Sequence, residues 1–332
     1  MKKVAVLGSG SWGTALAFHL ASAGHDVRLW GRNAELIEEM KSRRANAVYL
    51  PDIVLPPGVV PTASLEDALQ RAEIVVAALP SHGTRAVIRL AAPFISRQAL
   101  IVSATKGIEQ DTLLRVSEVI AQEVRGARPV AVLSGPSFAM EVARRLPTAV
   151  SVACADPVLA EDVQREFRAA YFRLYGSTDV VGVEIGGALK NIIAIAAGVV
   201  EGLGLGQNAL AALITRGLAE ITRLACAVGG RRETLAGLSG LGDLVLTCTG
   251  SLSRNRHVGV ELAHGRPISE VVAGMKMVAE GVKTTTAALA LGRKHGVELP
   301  IATQMAEVLA GHRSAAAAVD ELMHRPQKTE VT

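Results

Sequence analysis

The sequence predicts an α/β protein in which a domain with a mostly parallel sheet is followed by an all-α domain. At the N-terminus, a short β-branched run over residues 4–7 leads directly into Gly8-x-Gly10-x-x-Gly13 and a small-residue apolar helix. This strand–turn–helix order is that of a Rossmann-like dinucleotide-binding fingerprint. Gly8, Gly10 and Gly13 are expected to allow the turn, the close approach of a pyrophosphate and helix-on-sheet packing, with the anion on free N–H groups of the helix.

The division into two domains follows from where strand patterns stop. Strand-like and helix-like segments alternate along the first half, and the last of them are strands over 148–154 and 172–176 around a helix over 157–170. Only helical periodicity follows. We therefore expect a dinucleotide-binding domain over residues 1–180 and a helical substrate and catalytic domain over residues 181–332.

Composition and charge narrow the classes of partner. At 332 residues, with 49% hydrophobic and only 3% aromatic residues, the chain suits two helix-rich domains. The net charge of +4 is small for this length, and Lys and Arg are spread along the chain without a basic block. We therefore expect no nucleic-acid partner, whereas a modest basic excess suits a small anionic substrate.

Neither membrane insertion nor a metal site is expected. The longest apolar run of the C-terminal half, residues 192–200, is far shorter than the ~20 residues that cross a membrane. Lys2 and Lys3 precede a strand rather than the apolar core of a signal peptide. An odd number of scattered cysteines indicates a reducing cytoplasm and argues against a disulfide scaffold or a zinc site; they are Cys154, Cys226 and Cys248.

A second strand over residues 26–30 ends next to a basic side chain. Arg32 stands where an NAD-selective site usually carries Asp or Glu for the ribose 2′-hydroxyl. It is therefore interpreted as a partner for an NADP 2′-phosphate, with a solvated turn residue as the alternative. Asn33 is expected to cap a helix over residues 34–42.

The next segment returns the chain to the sheet. Residues 43–61 contain four prolines and are expected to form a loop, which a helix over residues 64–72 follows. A buried strand over residues 73–79 then ends at a proline. His82, just beyond it, is interpreted as a loop residue near the dinucleotide rather than as a catalytic acid or base.

Two further strands end in residues suited to binding an anion. The strand over residues 99–104 runs into Lys106, and the strand over residues 129–133 runs into the turn that contains Gly135 and Ser137. Ligands collect beyond the carboxyl ends of parallel strands, so Lys106 places a cation there, with an exposed loop lysine as the alternative. Ser137 is expected to cap the following helix, whose N–H groups would attract an anion.

Lys190 stands alone in an apolar helix. Gly186, Gly187, Ala194 and Ala197 lie three to seven positions away, so small side chains are expected to leave room for a ligand beside it. A lysine there loses hydration and its pKa should fall, which suits a proton donor or acceptor near neutral pH. The alternative is a lysine that extends along its helix to reach water.

A second group of polar residues follows in the helical half. Glycines surround Asp243, which could orient a lysine or could cap a helix. Arg254 and Asn255 offer fork-like and amide donors suited to phosphate oxygens, or are surface residues.

Together these motifs resemble the bacterial-type, NAD(P)-dependent glycerol-3-phosphate dehydrogenases, over residues 4 to about 325. The segments that carry the resemblance are Gly8-Ser9-Gly10-Ser11-Trp12-Gly13-Thr14-Ala15, Asn46-Ala47-Val48-Tyr49-Leu50-Pro51, Thr105-Lys106-Gly107-Ile108-Glu109, Ser134-Gly135-Pro136-Ser137-Phe138-Ala139, Gly186-Gly187-Ala188-Leu189-Lys190-Asn191, Gly240-Leu241-Gly242-Asp243, Ser253-Arg254-Asn255 and Val278-Ala279-Glu280-Gly281.

The resemblance implies reversible reduction of dihydroxyacetone phosphate to sn-glycerol 3-phosphate, a phospholipid precursor, with NADPH or NADH, by a homodimer. It implies that Lys190 is the catalytic acid or base. The substrate contacts that it implies are Lys106, Gly135, Ser137, Lys190, Asp243, Ser253, Arg254 and Asn255. The cofactor contacts that it implies, beside the fingerprint glycines, are Ser11, Trp12, Arg32, Tyr49, Lys106, Ala139, Arg254, Val278 and Glu280.

Two other functions remain open at this point. A related two-domain dehydrogenase of the β-hydroxyacid or ketopantoate reductase type shares the fingerprint and a helical lysine, but the Ser-Arg-Asn and Gly-Leu-Gly-Asp segments argue against it. A non-enzymatic NADP sensor needs only the first domain and would have no reason to keep Lys190 in an apolar helix.

Overall fold

A computed structural model describes residues 1–126, 129–275, 279–327 and 329. The described strands are β1 (Lys3–Leu7), β2 (Asp26–Trp30), β3 (Ala45–Asn46), β4 (Leu50–Val54), β5 (Val59–Thr62), β6 (Ile74–Ala77), β7 (Leu100–Ser103), β8 (Ala131–Ser134), β9 (Thr148–Ala153) and β10 (Phe172–Ser177). Eight of them form one sheet in the order β10-β9-β8-β7-β6-β1-β2-β5, and every pair is parallel except β8 with β9. The predicted mostly parallel sheet is therefore confirmed.

Helices cover the sheet and, with their connecting turns, form the part of the described chain that follows β10. They are α1 (Ser11–Ser22), α2 (Ala34–Arg43), α3 (Leu65–Leu69), α4 (Ser81–Ala91), α5 (Val116–Glu123), α6 (Ala139–Ala143), α7 (Pro157–Phe167), α8 (Val180–Gly202), α9 (Gly206–Ala227), α10 (Arg232–Leu235), α11 (Asp243–Thr249), α12 (Arg254–Ala263), α13 (Ile268–Ala273), α14 (Glu280–Lys294), α15 (Pro300–Leu309) and α16 (Ala315–Met323). A π-helical turn, Leu238–Gly242, leads into α11.

Both faces of the sheet are buried, which explains why its strands read as continuous apolar runs. Successive side chains of a strand point to opposite faces, and in β1 Val4 and Val6 join one core while Ala5 and Leu7 join the other. A third core forms around α8. Apolar packing therefore covers both faces of the sheet and fills the helical half around α8.

The predicted loop over residues 43–61 is wrong, because it contains strands. Residues 45–54 form the antiparallel pair β3–β4, and Val59–Thr62 forms β5, which pairs with β2 at the edge of the main sheet. Proline lacks the backbone donor that a central strand needs, but an edge strand tolerates it. Pro61 therefore lies within β5, opposite Leu29.

Two predicted helices are too long at their C-termini. The helix predicted over residues 64–72 is α3, Leu65–Leu69, with Ser64 as its N-cap. The helix predicted over residues 157–170 ends at Phe167, because Ala169 and Phe172 exchange backbone hydrogen bonds and turn the chain into β10. The cap at Asn33 is confirmed, since its side chain accepts from the N–H of Leu36.

Helix α8 is the centre of the helical half. Its residues from Gly182 to Val200 are all buried, and it packs against α9, α11, α12 and α14. By length and composition this helix could cross a membrane, but 89% of its most apolar stretch is buried inside the protein, as in the core helix of a globular domain. Its position places Lys190 between the sheet and α11.

Candidate active site

Lys190 points away from solvent and toward α11. Its Nζ donates to Asp243 Oδ1 at 2.8 Å and to Thr247 Oγ1 at 2.6 Å. The side chain is 9% exposed, and that of Asp243 is 1% exposed. The alternative in which Lys190 extends along its helix to water is therefore wrong, because both hydrogen-bond partners lie inside the protein.

Lys106 reaches the same carboxylate from the edge of the sheet. Its Nζ donates to Asp243 Oδ2 and, at 3.1 Å, to the carbonyl of Gly135. Its side chain is 18% exposed, so the alternative of an exposed loop lysine is wrong. Asp243 thus joins two lysines, one from each half of the chain.

Burial sets the charges of this cluster. Loss of hydration lowers the pKa of Lys190 to about 8, since the attraction of Asp243 offsets the burial only in part and the charge of Lys106 adds to the fall. Burial by itself would raise the pKa of Asp243, but the charges of Lys106 and Lys190 outweigh it and hold that pKa below its usual value. The cluster is therefore two amines around one carboxylate ion, with Lys190 able to titrate near neutral pH.

Thr247 completes the cluster and is not among the site residues that the sequence predicts. It follows Asp243 by one turn of α11, and its hydroxyl bonds the Asp243 carbonyl at 2.6 Å while it accepts from Lys190. Residues four apart share a helix face. That spacing from Asp243 is the sequence signal that could have identified it.

Two of the small residues near Lys190, Gly186 and Gly187, face packed protein rather than open space. A Cβ built on Gly186 would lie 2.7 Å from the carbonyl oxygen of Ser239, and one on Gly187 would lie 2.6 Å from Ser134 Oγ. The glycines instead let α8 pack directly against the π-helical turn and β8. The expectation that both glycines surround a ligand is therefore wrong.

The turn after β8 differs from the prediction in one detail. Helix α6 begins at Ala139 with Phe138 as its N-cap, and the hydroxyl of Ser137 donates to the Gly135 carbonyl at 2.9 Å. Ser137 as the helix cap is therefore wrong, because its side chain closes the turn instead. Gly135 has φ +136°, a conformation that favours glycine, and its carbonyl faces Lys106.

The Ser-Arg-Asn segment opens α12. Ser253 is the N-cap, since its Oγ accepts from the N–H of Arg256 at 3.3 Å. Arg254, in the first turn, is exposed. Asn255 is buried and joins the helices: its Nδ2 donates to Asn191 Oδ1 at 2.9 Å and its Oδ1 accepts from Gly281 N at 3.0 Å. A surface role for Asn255 is therefore wrong.

The fingerprint glycines serve different purposes. A Cβ on Gly8, which has φ +118°, would lie 2.3 Å from the Ala78 carbonyl oxygen, and one on Gly13 would lie 1.8 Å from the Gly8 carbonyl oxygen. These two glycines are needed for packing. A Cβ on Gly10, the N-cap of α1, would meet nothing within 4 Å, so open space lies at the N-terminus of a helix that can bind an anion.

A buried asparagine holds this turn in place. Asn46 Nδ2 donates to the Ser9 carbonyl and to Thr14 Oγ1, both at 2.8 Å, and its Oδ1 accepts from the N–H of Tyr49. Asn46 belongs to the segment that carries the family resemblance but is not among the predicted contacts. Tyr49 is thereby held next to the glycine turn, half-buried.

The other predicted cofactor contacts among the described residues come from several elements of the chain. Trp12 is partly buried and packs against the apolar core, and Arg32 is exposed just after β2. Ala139 is the first residue of α6. Glu280, the first residue of α14, accepts from Ser81 N and Oγ at 3.3 and 2.7 Å. Ser11 opens α1, and Val278 lies outside the described residues.

Comparison with known proteins agrees with this geometry. The family model of the NAD-dependent glycerol-3-phosphate dehydrogenase N-terminus matches residues 3–160, and that of its C-terminus matches residues 179–320. A glycerol-3-phosphate dehydrogenase [NAD(P)+] of Koribacter versatilis is 54% identical over 275 residues, which cover 82% of each chain.

Solved structures agree as well. The crystal structure of glycerol-3-phosphate dehydrogenase from Coxiella burnetii has a TM-score of 0.94 and 42% identity, and the match covers 98% of this chain and 99% of that one. A ketopantoate reductase from Ralstonia eutropha has a TM-score of 0.60 at 16% identity, with 97% and 99% of the chains covered, which shows the fold alone. The chain belongs to the family of NAD-dependent glycerol-3-phosphate dehydrogenases.

Proposed function

We propose that this chain reversibly reduces dihydroxyacetone phosphate to sn-glycerol 3-phosphate with NADPH or NADH, and so supplies phospholipid synthesis. The observation that carries the proposal is the buried Lys106–Asp243–Lys190 cluster in a chain of this family. The cluster offers a titratable amine beside a second cation at the carboxyl edge of the sheet. Reduction of a ketone that bears a phosphate needs an amine that protonates the alkoxide and a cation that attracts the phosphate.

The open space at Gly10 and the N-terminus of α1 fit a dinucleotide pyrophosphate. When bound, the reduced nicotinamide supplies a hydride. We assign cofactor contact to Gly8, Gly10 and Gly13 with their helix, and further contacts to Ser11, Trp12, Arg32, Tyr49, Lys106, Ala139, Arg254, Val278 and Glu280. Arg32, exposed at the end of β2, suits the 2′-phosphate of NADPH.

Lys190 is the proposed proton donor. Reduction of the ketone leaves an alkoxide, which the Lys190 ammonium stabilises and protonates; in the reverse direction its neutral amine accepts the proton of the alcohol. Asp243 and Thr247 orient the amine through the bonds described above. One proton and one hydride are thus added to the ketone, and neither a metal nor a covalent intermediate is required.

The substrate phosphate lies among donors from both halves of the chain. Arg254 is the main proposed partner, because its exposed guanidinium can bind two phosphate oxygens at once. Lys106, the turn at Gly135 and Ser137, and the N-terminus of α12 with Ser253 and Asn255 complete the proposed substrate site. Asn255 acts there by fixing the start of α12, since its amide bonds within the protein.

We further propose the division into a dinucleotide-binding domain, residues 1–180, and a helical substrate domain, residues 181–332. The last strand ends at Ser177 and α8 begins at Val180. A cytoplasmic homodimer that neither binds nucleic acid nor inserts into a membrane completes the proposal. The low net charge supports the absence of nucleic acid.

One assay tests the reaction against both alternatives. NADPH oxidation by the purified protein is followed with dihydroxyacetone phosphate, with ketopantoate and with no added substrate. We expect rapid oxidation with dihydroxyacetone phosphate alone. Faster oxidation with ketopantoate would favour the related reductase, and binding of NADPH without oxidation in any of the three would favour a sensor.

A further inference from the structure

Glu184 is a buried carboxylate that the proposed chemistry does not use. It lies near the start of α8 with its side chain 4% exposed. It accepts from Ser117 N at 2.8 Å, from Ser117 Oγ at 2.6 Å and from Arg115 Nη1 at 2.7 Å. Burial raises its pKa, although the charge of Arg115 and the bonds from Ser117 oppose the rise. The contact joins α8 to the start of α5.

Arg115 stands at the end of the loop that carries Lys106. This loop runs from β7 to α5, and it is closed on itself where Ile108 and Arg115 form an antiparallel bridge and where Glu109 N donates to the Leu114 carbonyl at 3.0 Å. Because these backbone hydrogen bonds tie its two ends together, the segment from Ile108 to Arg115 is a closed loop, and Lys106 lies two residues before it. Its attachment through Arg115 therefore affects where Lys106 lies.

The same face of α8 also lies close to the Lys106 side chain. Gly187 lies one turn after Glu184, and residues three apart share a helix face. A Cβ built on Gly187 would lie 3.7 Å from Lys106 Cγ. Lys190, three residues further on, donates to Asp243 Oδ1. The Glu184 contact is thus made by the segment of α8 that lies between the Lys106 loop and Asp243.

We propose that Glu184 is a positioning residue that sets the distance and orientation of Lys106 relative to Lys190. The carboxylate fixes the loop end against α8 through three hydrogen bonds, so that both amines meet the two oxygens of Asp243. Catalytic groups must be held to about 0.5 Å to act together. The inference rests on the proposed roles of the two lysines.

The variant Glu184→Gln tests it with little change of shape. The amide places an N–H group against the Arg115 and Ser117 donors, so the loop end loses its charged acceptor. We expect kcat for dihydroxyacetone phosphate to fall about 10- to 100-fold, the range that small misplacements of reacting groups produce.

The chain offers a matched control in Glu220→Gln. Glu220 is also a buried carboxylate, 3% exposed, and it accepts from the N–H groups of Ile301 and Ala302 at the start of α15. Both of these hydrogen bonds go to α15, whereas those of Glu184 go to Arg115 and Ser117. We expect this variant to keep its kcat, so that equal losses in both variants would reduce the role of Glu184 to general stability and overturn the inference.

Introducing Glu184→Gln into the Lys106→Met variant separates the positioning of Lys106 from other effects of the substitution. In Lys106→Met the group that Glu184 positions is absent, so Glu184→Gln should cause no further loss of kcat. A loss of the same factor in both backgrounds would overturn the inference, because Glu184 would then act independently of Lys106.

Amide hydrogen exchange gives a readout that does not depend on the reaction. Without substrate, we expect exchange over residues 108–115 to be faster in Glu184→Gln than in the wild type and unchanged in Glu220→Gln. If the wild type failed to reduce dihydroxyacetone phosphate, the proposed function would be wrong. The exchange measurement would still show whether Glu184 holds residues 108–115 in place. Unchanged exchange in Glu184→Gln would overturn the inference.

Discussion

Lys106 and Lys190 bind the two different oxygens of one carboxylate, that of Asp243. The buried carboxylate balances one of the two positive charges, so the cluster keeps one net positive charge for an anionic ligand. Burial of Lys190 itself, together with the nearby charge of Lys106, lowers the pKa of Lys190 to about 8. A shared carboxylate thus holds a buried lysine, the proposed proton donor, beside a second and less buried lysine.

Removal of the proposed proton donor should abolish most of the activity. For Lys190→Ala we expect kcat to fall by about 10²- to 10⁴-fold, the usual contribution of one proton-transfer group, with NADPH still bound. Steady-state rates and the fluorescence of bound NADPH measure the two effects. Turnover at the wild-type rate would refute the assignment of Lys190.

The two directions of the reaction should respond oppositely to pH. Reduction needs the Lys190 ammonium, so kcat should fall as the pH rises through about 8, whereas oxidation of glycerol 3-phosphate needs the neutral amine and should speed up over the same range. Both profiles are measured at saturating substrate and cofactor. Profiles that rise or fall together would contradict a single titrating amine.

Arg254 should govern the affinity for the phosphate group. For Arg254→Ala we expect the KM for dihydroxyacetone phosphate to rise about 10- to 100-fold, which corresponds to the loss of charged hydrogen bonds. Arg266→Ala is a suitable control, because Arg266 is exposed and pairs with Glu261 on the surface. An unchanged KM in Arg254→Ala would place the phosphate elsewhere.

Alanine at two fingerprint glycines should have different effects. Gly13→Ala brings a methyl group onto the Gly8 carbonyl oxygen and should lower the unfolding temperature of the unliganded protein. Gly10→Ala meets open space and has an ordinary φ of −72°, so it should keep that temperature and weaken NADPH binding. If Gly10→Ala bound NADPH normally, the pyrophosphate would not approach this turn.

Arg32 should discriminate between the two cofactors. For Arg32→Ala we expect a larger rise in the Kd of NADPH than in that of NADH, because only NADPH carries the 2′-phosphate. The ratio of the two constants, measured by titration of cofactor fluorescence, is the relevant quantity. Equal changes would show that Arg32 does not recognise the phosphate.

Local patterns gave correct predictions where neighbours in sequence decide the structure. Strand β2 and the cap at Asn33 have their predicted places. The predictions failed where distant partners decide. Residues 59–62 form a strand because β2 lies beside them, and Gly187 accommodates β8 rather than a ligand. Neither the pairing of β5 with β2 nor the packing of Gly187 against β8 produces a recognisable sequence pattern in the segment that makes the contact.

The sequence by itself determined the fold class, the fingerprint and the family resemblance, because periodicity and motifs can be recognised within a few residues. It also identified Lys106, Lys190 and Asp243 as candidate site residues. Only the tertiary structure decided that the three meet. Lys190 and Asp243 are 53 residues apart, and Lys106 and Asp243 are 137 apart. The packing of α8 between the sheet and α11 brings them together, and the resulting burial lowers the pKa of Lys190.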